Sequence, residues 1–239
     1  MNGSTPAVDA TGLCRRYGRR WALVDVSLRI EPARVVMVTG RNGSGKSTLL
    51  RVLSTAIRAD AGVARVAGFD LRSQTQNVRA RTALLSHPSY HYEALTALEN
   101  LQISARFLSR DTRREALVPK LADVGLADRA DDAVGTFSAG MRKRLSLART
   151  LLQNATVVFL DEPYAQLDPA GFRLVDELVA TLRSRGTTVV MATHLVDRVR
   201  DLADDGIVLE EGRLQWSGRA TDLSHATDEE LPVHPGGDR

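Results

Sequence analysis

The sequence predicts an α/β protein built on a mainly parallel sheet, and three observations carry that prediction. Residues 35–39, 155–160 and 187–192 are short runs without polar alternation, the pattern of strands buried on both faces. Stretches of helical periodicity separate them. Directly after the first run comes a glycine-rich turn and then a helix-forming segment. Doubly buried strands alternating with helices imply a sheet covered on both sides.

The elements follow in order. Residues 1–10 and 221–239 are polar and rich in Gly, Pro, Asp and Ser, and are expected to fray, leaving one domain over about 8–220. Val24, Val26, Leu28 and Ile30 alternate with Asp25, Ser27 and Arg29, a half-buried and antiparallel strand. The buried strand 35–39 leads through the turn 40–45 into a helix at 47–53. Residues 96–126 read as helical, with Leu98, Leu101, Ala105 and Leu108 on one face. A helix at 142–152 precedes the buried strand 155–160. The helix 169–185 carries Leu174, Leu178 and Leu182 in an i, i+4 row, with Gly186 just past its end. After the strand 187–192, residues 207–209 and 213–216 flank Glu211-Gly212 as a hairpin. Residues 86–152 thus form an all-helical insert within the α/β frame.

Composition narrows the function classes. Hydrophobic residues make up 43% and charged residues 26% of 239, the ordinary range of a globular chain. The apolar runs are too short to span a bilayer, and the N-terminus lacks the basic and apolar regions of a secretory signal, so a cytosolic protein is expected. The single cysteine, Cys14, forms no internal disulfide. The net charge is only +3, and Arg79, Arg81, Arg113, Arg114, Arg142 and Arg144 are interspersed with acids. That is a solvated face rather than a nucleic-acid footprint, and Arg142-Lys143-Arg144 reads the same way.

Gly40-Arg41-Asn42-Gly43-Ser44-Gly45-Lys46-Ser47 matches G-x-x-x-x-G-K-[ST] between a buried strand and a helix. The glycines let successive N–H groups cradle phosphate oxygens, and the helix N-terminus adds its positive dipole end. Lys46 places a point charge near the β- and γ-phosphates, Ser47 offers a hydroxyl to Mg²⁺, and Thr48 completes the binding segment. Asp161-Glu162 ends the strand 155–160. There Asp161 can hold Mg²⁺, and Glu162 can take a proton from an attacking water. ATP and Mg²⁺ are the implied substrate and cofactor.

Phe137-Ser138-Ala139-Gly140-Met141-Arg142 opens a helix shortly before Asp161-Glu162-Pro163. It resembles the Leu-Ser-Gly-Gly-Gln signature of the ABC-type ATPases. Ala165-Gln166-Leu167-Asp168 and Thr193-His194 complete that family's order of motifs, and the resemblance spans about residues 8–218. It implies a P-loop NTPase fold with a mainly parallel core sheet, an antiparallel β subdomain and an inserted helical subdomain. It further implies a head-to-tail dimer, homomeric or pseudo-symmetric, sandwiching two ATP molecules. Ser138 and Gly140 of one subunit would face the γ-phosphate held by the other, and Asp168 would couple the two sites. His194 would contact the γ-phosphate. Tyr17 matches the aromatic that stacks on adenine, although a lone tyrosine also serves packing. An integral-membrane subunit is implied as partner, met around residues 84–101 at the cytoplasmic face of the membrane. Ala139 and Met141 depart from the signature.

The third departure lies in Ser86-His87-Pro88-Ser89-Tyr90-His91-Tyr92. His87 falls where the family has a glutamine that reaches Mg²⁺ and the attacking water, and an imidazole can still hydrogen-bond there. Pro88 argues against a helix, so His87 and His91 do not share a face as metal or haem ligands. Tyr90, His91 and Tyr92 read instead as partner-facing surface. His87, with the following Leu95-Thr96-Ala97-Leu98-Glu99-Asn100-Leu101, resembles the ATP-binding subunit of the haem exporters of cytochrome c maturation. Other ABC exporters share the second stretch. A chromosome-type ABC ATPase would need a long coiled coil, translation-associated members carry two cassettes, and a P-loop kinase or GTPase would lack the Ser138 motif.

Overall fold

A computed structural model describes residues 5–86 and 90–223. The chain opens with β1 (Val8–Tyr17) and β2 (Arg20–Ile30), then the fully buried β3 (Val35–Thr39), α1 (Lys46–Leu53), β4 (Ala61–Val66) and β5 (Phe69–Asp70). It continues through α2 (Thr75–Arg81), β6 (Thr82–Leu85), α3 (Ala97–Phe107), α4 (Arg114–Ala122) and α5 (Ala139–Leu152). The last part holds β7 (Val157–Asp161), α6 (Pro169–Ser184), β8 (Thr188–Ala192), α7 (Val196–Arg200), β9 (Asp205–Glu210) and β10 (Arg213–Arg219).

Two sheets result. The larger has the order β10-β9-β3-β8-β7-β6, parallel except for the antiparallel edge strand β10. The smaller, β2-β1-β4-β5, is antiparallel. The period-2 alternation of a strand explains how one sheet serves two cores. Val35, Met37, Val158 and Leu160 point into a cluster with α3 to α6. Val36, Val38, Val157 and Phe159 point into a second cluster with α1 and the antiparallel sheet. The expected fold class is therefore observed, with α3 to α5 lying between β6 and β7.

Two readings of the sequence are corrected. Residues 8–10 are not frayed: they begin β1, and Val8 is fully buried, paired with Ile30 on one side and Val66 on the other. Residues 96–126 are two helices rather than one. Ser109 takes a left-handed conformation (φ 53°), Ser109 N–H donates to Arg106 O at 3.1 Å and Arg110 N–H to Ala105 O at 2.8 Å. That pair of bonds is a Schellman stop, built here on serine instead of the glycine that would have announced it. At the tail, Leu223 is buried in the α-helical core; residues 224–239 lie outside the described residues.

Candidate nucleotide site

The loop 40–45 leaves the C-terminal edge of β3 at the sheet centre. Gly45 (φ 108°) stands against Ala22 O, which a Cβ would meet at 2.4 Å, and Gly40 (φ 137°) against Leu209 O at 2.0 Å. Only glycine combines these backbone angles with that approach. The loop is also pinned from outside. The Glu211-Gly212 turn joins β9 to β10, Gly212 N–H donates to Ser44 O at 3.0 Å, and Val24 N–H donates to Gly212 O at 2.8 Å. The hairpin expected from sequence thus doubles as a support for the phosphate loop.

Lys46 is buried, and its Nζ donates to Gly40 O at 2.6 Å and Arg41 O at 3.0 Å. Burial lowers its pKa, while Glu162 and Asp161 act to raise it. Ser47 Oγ donates to Asp161 Oδ1 at 2.7 Å, so α1 and β7 bring two hard oxygen donors together, the donor type that suits Mg²⁺. Ser44 Oγ is buried with no hydrogen-bond partner among the described residues, an orphaned donor that a phosphate oxygen would satisfy. Asn42 and Gly43 are exposed on the loop and Thr48 is half-buried in the first turn of α1. The residues present fit a nucleoside triphosphate with its magnesium ion.

Glu162 follows β7 at φ 46°. The left-handed conformation costs a non-glycine residue about 1–2 kcal/mol. Its N–H donates to Ala192 O at 2.9 Å, and its Oε2 lies 3.1 Å from Nδ1 of His194, which leaves the end of β8. His194 is exposed, with 63% of its side chain accessible, so it is not a core histidine.

On the other face of the sheet, Ser138 is the N-cap of α5, its Oγ accepting from Met141 N–H at 3.2 Å. Ser138 is exposed, and Gly140 passes Gln166 O so closely that a Cβ would lie 3.1 Å from it. Asp168 caps α6, accepting from Gly171 N–H at 2.8 Å, and pairs with Arg144 at 3.2 Å. The cap bond first, then Arg144, lowers its pKa. The described chain therefore assembles Lys46, Ser47, Asp161, Glu162 and His194 into one site, and presents Ser138, Gly140 and Asp168 on α5 and the start of α6.

Tyr17 is exposed at the β1–β2 tip under the Arg15 guanidinium, 4.9 Å from its ring centre. Its cross-strand partner Arg20 reaches the phosphate loop, with Nη2 3.0 Å from where a Gly43 Cβ would stand. Sequence reasoning missed Arg20, because nothing local marks a contact made across a turn. His87 lies outside the described residues. His91 is half-buried at the edge of the cavity beside Tyr90 and Tyr92, and its Nε2 is 2.9 Å from Ser146 Oγ and 3.0 Å from Arg142 O, tying the segment to α5. Tyr90 and Tyr92 are exposed as expected. Thr96 and Glu99 form a reciprocal capping box, and buried Asn100 bonds both main-chain groups of Tyr92.

Arg142-Lys143-Arg144 is not a solvated face either. Arg142 bonds Gly135 O and Arg144 pairs with Asp168. Lys143 is 2% exposed and its Nζ donates to Glu162 O at 2.9 Å. Burial lowers its pKa to about 8, against the opposing pull of Asp161 and Glu162.

A phosphate loop at the central strand, a magnesium-type Ser–Asp pair and a carboxylate beside an exposed histidine define a P-loop ATPase. Residues 23–165 match the ABC transporter family, and the chain belongs to it, as an ATP-binding subunit. The chain is 37% identical over 235 residues to a daunorubicin resistance ATP-binding protein of Streptomyces coeruleorubidus, covering 98% of this chain and 72% of that one. It is 34% identical over 239 aligned positions to a phosphonates import ATP-binding protein of Pseudomonas savastanoi, covering 91% and 86%. A dimeric ATP-binding cassette bound to ADP and Pi shares the fold, with a TM-score of 0.82 at 24% identity over 89% of this chain and 98% of that one.

Proposed function

We propose that the chain is the ATP-hydrolysing subunit of an ABC exporter, acting as a head-to-tail dimer beneath a separate membrane subunit. The observation that carries the reading is the convergence of Ser47, Asp161, Glu162 and His194 at the phosphate loop, while Ser138 caps a helix with its face open. Lys46 exchanges its loop carbonyls for phosphate oxygens. Ser47 and Asp161 would hold Mg²⁺, which when bound would supply positive charge to neutralise that of the triphosphate. Glu162 accepts the proton of the attacking water, and His194 holds that carboxylate in register. Tyr17 stacks on the base. Ser138 and Gly140 of the partner copy offer a helix N-terminus to the γ-phosphate, with Asp168 coupling the two sites and His87 acting as the sensing residue.

The membrane subunit docks on residues 84–101 and the adjoining groove. Tyr90, Tyr92 and Phe107 are exposed there, and a cavity of about 300 Å³ runs between Tyr92, Asn100, Ile103 and Phe107. Among the described residues no helix is long and apolar enough to cross a membrane, in keeping with a subunit held at the cytoplasmic face through its partner.

Export is supported by the stretch 95–101, similar to ABC exporters, and by the relative named for daunorubicin resistance. The narrower haem-export reading rests on His87, and none of the relatives described above carries such a name. The test compares wild-type cells with cells carrying only the Glu162→Gln form. Raised daunorubicin accumulation supports drug-type export. Loss of haem-stained c-type cytochromes with unchanged accumulation moves the cargo to haem. Impaired phosphonate uptake with neither change contradicts export.

The dimer is tested by mixing Ser138→Arg and Glu162→Gln chains, each inactive alone. A head-to-tail dimer of the two restores one intact composite site, and with it turnover. A mixture as inactive as its parts contradicts the arrangement.

A further inference from the structure

Lys143 is the buried ammonium, among the described residues, that no step above uses. It lies on α5, five residues beyond Ser138, and is 2% exposed. A charge this deep is disfavoured unless paired, and the charges nearby are the carboxylates of Asp161 and Glu162. Its hydrogen bond, however, goes to the Glu162 main chain: Nζ donates to that carbonyl at 2.9 Å.

Glu162 needs such a hold. Its φ of 46° is one a non-glycine residue keeps only when its surroundings impose it. Three elements do so. Ala192 O of β8 accepts the Glu162 N–H at 2.9 Å, Ala165 N–H donates back to Glu162 O at 3.2 Å, and Lys143 reaches the same oxygen from α5. The side chain then meets His194 at 3.1 Å. The first two grips are neutral and local to the strand ends. The third is charge-assisted, and so stronger, and comes from a different subdomain.

We propose that Lys143 is a positioning residue for hydrolysis, fixing the Glu162 backbone so that its carboxylate is aimed at the phosphate site. This role rests on the reading of Glu162 as the proton acceptor given above.

The experiment uses the purified full chain and Lys143→Met, which keeps most of the length and volume of the side chain and removes the donor. ATP affinity should stay near wild type while kcat falls roughly ten- to hundredfold, the scale of a slightly misplaced catalytic group. Lys143→Arg, which keeps a charged donor, should recover most of kcat. In the Glu162→Gln background, adding Lys143→Met should leave ATP-dependent dimerisation intact, because the residue acts through Glu162 and not through the interface. Wild-type kcat in Lys143→Met overturns the proposal. So does loss of dimerisation in the double variant, which would make Lys143 a support of α5 alone. Should Lys143→Met not fold, Lys143→Leu, which also lacks a donor, carries the same comparison. Failure of wild type to hydrolyse ATP, or of Glu162→Gln alone to dimerise, counts against the dimeric ATPase reading and is distinguishable from both.

Discussion

Nδ1 of His194 lies 3.1 Å from Oε2 of Glu162, a contact between residues that leave the ends of adjacent parallel strands. The exposed imidazole contacts one carboxylate oxygen, and in the proposed mechanism the other accepts the proton of the attacking water. His194→Ala should therefore lower kcat about ten- to hundredfold and change ATP affinity little. Steady-state turnover alongside equilibrium ATP binding checks this; an equal loss in both would make His194 a binding residue.

Gly45 cannot take a side chain. Its φ is 108°, and a Cβ would stand 2.4 Å from Ala22 O, a backbone atom. Gly45→Ala should destabilise the chain by about 1–3 kcal/mol and abolish ATP binding, as the loop moves off β2. Thermal unfolding and nucleotide titration measure the two effects separately.

His91 gives stability a pH dependence. Its pKa is lowered from 6.5, first by burial and then by Arg149 and Arg142, against the raising effect of the Arg142 carbonyl. The unfolded chain thus takes up the proton first. Stability should fall as pH drops below about 6.5 and level off once the folded histidine is protonated too. Denaturant unfolding between pH 7.5 and 5 should show the slope, and His91→Gln should flatten its histidine component.

Tyr164 is buried beside the segment leading to Asp168. Its hydroxyl donates to Asp176 Oδ1 at 2.7 Å, and Arg198 binds the same carboxylate while lying over the rings of Tyr164 and Phe172. Burial, with Asp176, raises the phenol pKa. Tyr164→Phe keeps the ring contacts and removes one hydrogen bond, so it should cost about 1–2 kcal/mol without altering ATP affinity. A larger loss with impaired turnover would mean that the network also holds Asp168.

What the sequence made legible was whatever a contiguous stretch encodes. The phosphate loop, Asp161-Glu162 after a buried strand and Ser138 before a helix each carry their chemistry within a few residues. Contacts between distant segments were not readable. Lys143 looked like one of three surface cations, and its burial follows only from the packing of α5 against the end of β7. The residues that meet the phosphate loop, Arg20 beside Gly43 and Gly212 bonded to Ser44, come from both sides of it in the chain. The α3 stop was hidden because Ser109 takes the left-handed position usually given to glycine. His91 read as surface, because its anchors on Ser146 and Arg142 lie more than fifty residues away.

The most direct measurement is ATP turnover by Glu162→Gln beside wild type, with ATP binding measured on the same preparations. Removing the proposed proton acceptor should cut turnover about a hundredfold or more while leaving binding within a few-fold. Turnover close to wild type would contradict the account, because the Glu162 carboxylate, paired with His194 and carried on a backbone bonded by Lys143, would then not be the group that activates water.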